Sequence, residues 1–181
     1  YINESGLEQS VRDARIAMIY EGTNGVQAMD LVGRKLPRDN GRAIQAFFKL
    51  VGEEVAAGKA LPATEAIAQA LEKALQQQQA ATMWLMQNAM TNPNNAGAAA
   101  YSYMHIMGIV SLGLMWLKMA RAAQTRLDAG EGNADYLKAK LVTARYVAER
   151  ILPDAGAHRR KIEGGADALM ALPPEAFMTA T

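Results

Sequence analysis

The sequence predicts an all-α protein, an up-and-down bundle of helices, on three observations. Ala is abundant and Met numbers 11 in 181 residues, and both favour helices. Aromatic residues make up only 6% of the chain and β-branched residues are sparse, so the side chains that fit a pleated sheet are scarce. Apolar residues recur at three-four spacing instead of alternating.

The elements follow in order. Ser5-Gly6-Leu7-Glu8 has the S-x-x-E form of a capping box, predicting a helix that reaches about Met18 with Leu7, Val11 and Ala14 on one face. Gly22 interrupts it, and Thr23 or Asn24 caps a shorter helix with Val26, Met29, Val32 and Leu36 on its apolar side. Pro37 and Asp39-Asn40-Gly41 close that unit. A third helix covers about Arg42 to Ala57, with Ile44, Phe47, Phe48, Val51 and Val55 inward, and ends at Gly58-Lys59. Pro62 opens a fourth, from about Ala63 to Met90, on which Ile67, Leu71 and Leu75 are spaced four apart. Its Gln76-Gln77-Gln78-Gln79 run reads as a solvated face. Thr91-Asn92-Pro93-Asn94-Asn95 is a turn.

The fifth helix, about Gly97 to Leu127, is apolar nearly all round, which places it in the middle of the bundle. Its longest apolar stretch, Tyr103 to Leu117, is about 15 residues, short of the ~20 that a membrane span needs; a core helix is predicted and no span. Ala129 to Asn133 breaks it. A sixth helix, about Ala134 to Leu152, repeats Leu137, Leu141, Ala144, Ala148 and Ile151 and stops at Pro153. Ala155 to Arg160 forms a turn or a continuation. Gly164-Gly165 then leads to an apolar patch at Leu169, Met170 and Leu172. The change in character at Pro37 divides the chain into residues 1–37 and residues 38–181.

Composition narrows the function classes. Nineteen basic and 18 acidic residues nearly cancel, which excludes a polybasic nucleic-acid grip and an acidic disordered tail. With no cysteine there is no disulfide framework, thiolate metal site or cysteine nucleophile, a composition that fits the reducing cytoplasm. Neither phosphate-binding glycine motif nor a G-x-S-x-G elbow occurs. Neither His105 nor His158 has a carboxylate three residues before it, so the Glu-x-x-His pairs of di-iron bundles are absent and no metal site is expected. His105 reads as a core or interface histidine ahead of a ligand. His158, in the run His158-Arg159-Arg160-Lys161, reads as solvated surface, with a phosphate contact as the alternative.

The junction Ile19-Tyr20-Glu21-Gly22-Thr23-Asn24-Gly25 asks for an explanation. A lone carboxylate follows an apolar stretch where one helix stops and another starts. Gly22 permits a close approach that a Cβ would obstruct, and Thr23 sits beside the free N–H groups of a helix start, a common anion site. A carboxylate in an apolar setting binds a proton more readily and so serves as a base. The plainer reading makes Glu21 an exposed turn residue and Thr23 an N-cap.

Arg12-Asp13-Ala14-Arg15, then Ile19-Tyr20-Glu21-Gly22-Thr23, then Gln27, resembles the C-terminal signature of flavin-dependent acyl-CoA dehydrogenases. The likeness is close over the first 36 residues or so. The remainder, with Gly164-Gly165-Ala166-Asp167-Ala168-Leu169-Met170 near the end, is similar to the helical extension of the larger bacterial members. The resemblance implies the end of that family's catalytic helical domain followed by an extra helical extension.

It also implies roles. Glu21 falls on the base that takes the α-proton of an acyl-CoA thioester while the β-hydride passes to FAD, and its backbone N–H would help hold the thioester carbonyl. Gly22 would lie against the substrate and Tyr20 would line the acyl pocket. Thr23, Asn24 and Gly25 fall where the family contacts FAD, although Asn24-Gly25 departs from the usual Ser or Ala followed by Glu or Gln. Arg12 and Asp13 read as a structural pair. The implied partners are a second copy of the chain and an electron-transfer flavoprotein. The domains that hold most of the FAD and CoA surface in the family precede this signature, so the chain is expected to be inactive alone and to bind FAD weakly or not at all. A different class of reading makes residues after Pro37 a helical oligomerisation or partner-binding module without its own catalysis.

Overall fold

The computed structural model describes residues 3–19 and 23–178. Seven α-helices occur among the described residues, which hold no strand: α1 (Glu8–Ile19), α2 (Thr23–Asp30), α3 (Arg42–Lys59), α4 (Glu65–Asn88), α5 (Pro93–Asp128), α6 (Ala134–Arg150) and α7 (Asp154–Glu163). From α3 to α6 each helix packs beside the next across a short link, the up-and-down arrangement expected, and α7 folds back onto α4 and α5.

The caps explain the boundaries. Asn92 Oδ1 accepts from the Asn94 amide at 3.1 Å with Pro93 in the first turn of α5, and Asn133 Oδ1 accepts from the Tyr136 amide at 3.1 Å to start α6. Both side chains satisfy donors that a helix start leaves free. Between α2 and α3 the chain makes a π turn over Leu31–Lys35, closed by the Leu36 amide on the Leu31 carbonyl at 2.8 Å. Three left-handed residues follow, Asp39, Asn40 and Gly41, with φ of 52°, 55° and 75°. These are the residue types that visit that region at least cost.

The 36-residue α5 is the axis of the bundle; α2, α3, α4, α6 and α7 all pack on it. Ile106, Val110 and Leu117 on it are fully buried. Two glycines set how closely its neighbours approach. A Cβ on Gly58 would stand 2.8 Å from Leu117 Cδ1 and 3.0 Å from Ala68, and one on Gly113 would stand 2.7 Å from Leu152 and 2.8 Å from Leu71. Gly58 therefore serves as a contact point in the last turn of α3, which ends at Lys59 as expected. By length and composition α5 could also cross a membrane, but its place at the centre of five packed helices is that of a core helix.

No residue of α1 is buried, and Leu7 and Val11 on its apolar face are exposed. Three expectations need correction. Ser5 does not build the capping box: its Oγ accepts from the Leu7 amide at 3.4 Å, one residue short of the required donor, and α1 begins at Glu8. On α2 and the π turn the buried line is Ala28, Val32 and Leu36, while Val26 and Met29 stay exposed. These residues are spaced four apart and so share one helix face. That line joins the core of the bundle, so the segment before Pro37 and the helices after it share one apolar interior. The patch at Leu169, Met170 and Leu172 is exposed.

The glutamine run is the third correction. Gln78 is fully buried against α5, beside Thr82 and Tyr103. Thr82 donates its hydroxyl to the Gln78 carbonyl at 2.8 Å, so Tyr103 donates to Thr82 Oγ1 across 2.7 Å. Gln78 Nε2 donates to Met107 Sδ at 3.3 Å. Burial pushes the Tyr103 hydroxyl up to about 12 from an ordinary 10, against the opposing hydrogen bonds from Thr82 and Gln78. A group whose pKa is raised on folding adds stability that is complete below its unfolded value and lost as pH climbs through the folded one. The protein should therefore lose about 2 to 3 kcal/mol between pH 10 and 12 from this one group. Denaturant unfolding at pH 8 and pH 11.5 reads the loss, and Tyr103→Phe should remove most of it while costing stability at pH 8.

Candidate functional site

Among the described residues α1 ends at Ile19 and α2 begins at Thr23. Tyr20, Glu21 and Gly22, the sequence-based base and substrate residues, lie outside the described residues. The flanks on either side are defined. Upstream, the Gln9 carboxamide joins the two residues read as a pair: Gln9 Nε2 donates to Asp13 Oδ1 at 2.7 Å, and Arg12 Nη2 donates to Gln9 Oε1 at 2.7 Å. Met18 and Ile19, the last residues of α1, are exposed apolar side chains.

Downstream, Thr23, Asn24 and Gly25 form the exposed first turn of α2. A Cβ on Gly25 would meet nothing within 4 Å. What fixes the turn is the other end of its helix. Ala28 is buried in the core, and the Met29 side chain reaches Gly97 on α5, 3.9 Å from where a Cβ would stand. At the end of α2, Arg34 grips Asp30 through both carboxylate oxygens, with Nη2 on Oδ2 at 2.8 Å, and Lys35 joins at 3.3 Å. The Arg34 hydrogen bond holds the Asp30 carboxyl below its usual range in spite of partial desolvation, with Lys35 assisting.

The histidines meet. His105 on α5 and His158 on α7 stack with ring centroids 5.1 Å apart, and Tyr101 covers the other side of His105 at 4.2 Å. His105 Nδ1 bonds the Tyr101 carbonyl at 2.9 Å, so this nitrogen carries the proton. His158 is half-buried, which corrects its solvated reading. Burial lowers its pKa, and His105 and Lys161 lower it further while Asp154 opposes them. No cluster of three metal-ligating side chains occurs among the described residues. Nor is the basic run free: Arg159 donates to Glu163 Oε1 at 2.7 Å and to Gln77 Oε1 at 3.3 Å.

One surface escaped the sequence reading. Tyr101, Leu112, Met115 and Met119 form an exposed apolar stripe on α5, with a shallow hollow of about 320 Å³ over Gly108 bounded by Met104, Ile109 and Leu112. Its signal was the absence of Asp, Glu, Lys and Arg from Pro93 to Leu117, which was assigned wholly to the core.

Residues 42–173, the bundle from α3 onward, match the family model described as acetyl-CoA dehydrogenase C-terminal like, and the chain belongs to that family. Among curated proteins it is similar to the 3-methylmercaptopropionyl-CoA dehydrogenase of Ruegeria pomeroyi, at 36% identity over 94% of this chain and 29% of that protein. The broad-specificity linear acyl-CoA dehydrogenase FadE5 of Mycobacterium tuberculosis is 29% identical over 98% of the chain and 30% of its own length. A butyryl-CoA dehydrogenase of Syntrophomonas wolfei is 24% identical over 98% of the chain and 30% of its length. The chain thus spans a little under a third of the relatives it matches. The family model begins after α2, whereas the FadE5 and butyryl-CoA dehydrogenase matches, at 98% of the chain, extend across the stretch from α1 to α2.

Proposed function

We propose that the chain is the C-terminal part of a flavin-dependent acyl-CoA dehydrogenase that oxidises an acyl-CoA thioester to the 2,3-enoyl-CoA, with Glu21 as the base. The observation that carries this reading is the Ile19-Tyr20-Glu21-Gly22-Thr23 string, in a stretch of the sequence that relatives named as acyl-CoA dehydrogenases align across. Loss of the α-proton leaves negative charge on the thioester oxygen. A backbone N–H at Glu21 aimed at that oxygen would stabilise the charge as it develops. An apolar setting for the Glu21 carboxyl, once substrate and cofactor are in place, would favour its protonated form and hence uptake of the α-proton. Gly22 admits the substrate and Tyr20 lines the acyl pocket. FAD, held in part by Thr23, Asn24 and Gly25, supplies the acceptor for the β-hydride.

In this reading residues 1–37 end the catalytic helical domain and residues 38–181 are an extension. The protein works in the cytoplasm as a homo-oligomer and passes electrons to an electron-transfer flavoprotein. A second reading, an assembly module, draws on the exposed apolar stripe of α5, and it is compatible with the first.

The test pairs two preparations. The full-length protein should purify yellow and oxidise members of a panel of acyl-CoA thioesters; the 181-residue chain should elute from gel filtration without flavin absorbance, because the contacts left are too few to offset the cost of ordering FAD. Colourless, inactive full-length protein would overturn the enzymatic reading. Flavin co-eluting with the short chain would overturn the division of labour.

A further inference from the structure

Between α4, α6 and α7 runs a groove of about 410 Å³, within the size range of small-molecule sites. Its floor is apolar and low: Ala70, Ala74 and Ala148, with Leu152 at the α6 end. A floor made largely of Cβ atoms is flat and takes a flat apolar body without side-chain rearrangement. Two cations face each other across it, Lys73 on α4 and Arg160 on α7, and no carboxylate lines the groove.

Neither Lys73 nor Arg160 forms an ion pair among the described residues, whereas Arg159, beside Arg160 in sequence, is paired with Glu163. The Arg160 guanidinium folds back over the groove, with Nη1 3.8 Å from where a Cβ on Gly156 would stand. The carboxamides at the rim are half used. Gln69 Nε2 donates to Glu65 one turn away on α4, and Gln77 Oε1 accepts from Arg159, which leaves Gln77 an NH₂ group to donate. Two cations lining one groove with no carboxylate among them attract a dianion.

We propose that this groove binds a small amphipathic anion, a flat apolar body bearing a phosphate. The ring system lies on the alanine floor and the phosphate sits between Lys73 and Arg160, whose donors suit its oxygens. The site is built from α4, α6 and α7 and does not depend on the role of Glu21.

The probe is 1-naphthyl phosphate, titrated into the 181-residue chain at low salt and followed by fluorescence, with inorganic phosphate and 1-naphthol as half-ligands. Saturable binding of naphthyl phosphate at least tenfold tighter than either half-ligand is expected. Lys73→Gln and Arg160→Gln should each weaken it about tenfold. Ala70→Leu, which fills the floor and keeps both charges, should weaken it at least as much, with circular dichroism confirming that every variant is folded. Absence of saturable binding overturns the proposal. So does binding that all three folded variants retain, or equal affinity for inorganic phosphate, which would make the groove a mere patch of positive charge.

Discussion

Replacing Glu21 by Gln in the full-length protein is expected to lower acyl-CoA oxidation by two to four orders of magnitude, the span that a positioned general base contributes. The substitution keeps the size of the side chain and the backbone N–H but removes the ability to accept a proton. Folding and flavin content should persist, since α2, which follows residue 21, is fixed at its other end. Ala28, Val32 and Leu36 hold α2 and its π turn to the core, and Thr23 to Gly25 are unaltered. The readouts are turnover, bound flavin and the thermal midpoint, taken on one preparation. A structural role for Glu21 would lower all three together; a base role lowers the first alone.

The second large effect lies in the core. Leu117 is fully buried where α5 meets α3 and α4, against Gly58, and Leu117→Ala should cost about 2 to 5 kcal/mol. Gly58→Ala inserts a methyl 2.8 Å from Leu117 Cδ1, and overpacking of that kind costs about 1 to 3 kcal/mol, partly offset by the better helix propensity of Ala. The two changes should not add, because the truncated Leu117 vacates the space that the new methyl needs. In the double variant Gly58→Ala should be neutral or stabilising. Denaturant unfolding of the four proteins measures the coupling, and strict additivity would mean that the two helices do not meet at this point.

Legibility differed by residue. The turns at Asn92-Pro93 and Gly130-Glu131-Gly132-Asn133 marked the ends of α5 and the start of α6 to within a few residues, because caps and left-handed turns are local chemistry. The inward positions Ile44, Phe48, Val51 and Val55 followed from helical period alone. Gln78 did not: a glutamine among glutamines carries no local sign that Tyr103 and Thr82, from 4 to 25 residues away in sequence, will enclose it. The exposure of the apolar face of α1 was not legible either, since periodicity reports a side that can be covered and not whether anything covers it. At the candidate site the string from Ile19 to Thr23 was readable as chemistry, and α2 carries its last members on an exposed turn. The groove at Lys73 and Arg160 was invisible to spacing, because three helices far apart in sequence compose it.

The most direct measurement of the base assignment is anaerobic mixing of the full-length holoenzyme with an acyl-CoA that it oxidises, following the bleaching of the oxidised flavin band in the wild type and in Glu21→Gln. Rapid bleaching in the wild type, with an unbleached but fully bound flavin in the variant, is the predicted result. A variant that bleaches as fast as the wild type would contradict it, and the proton-abstracting group would have to be sought on another residue.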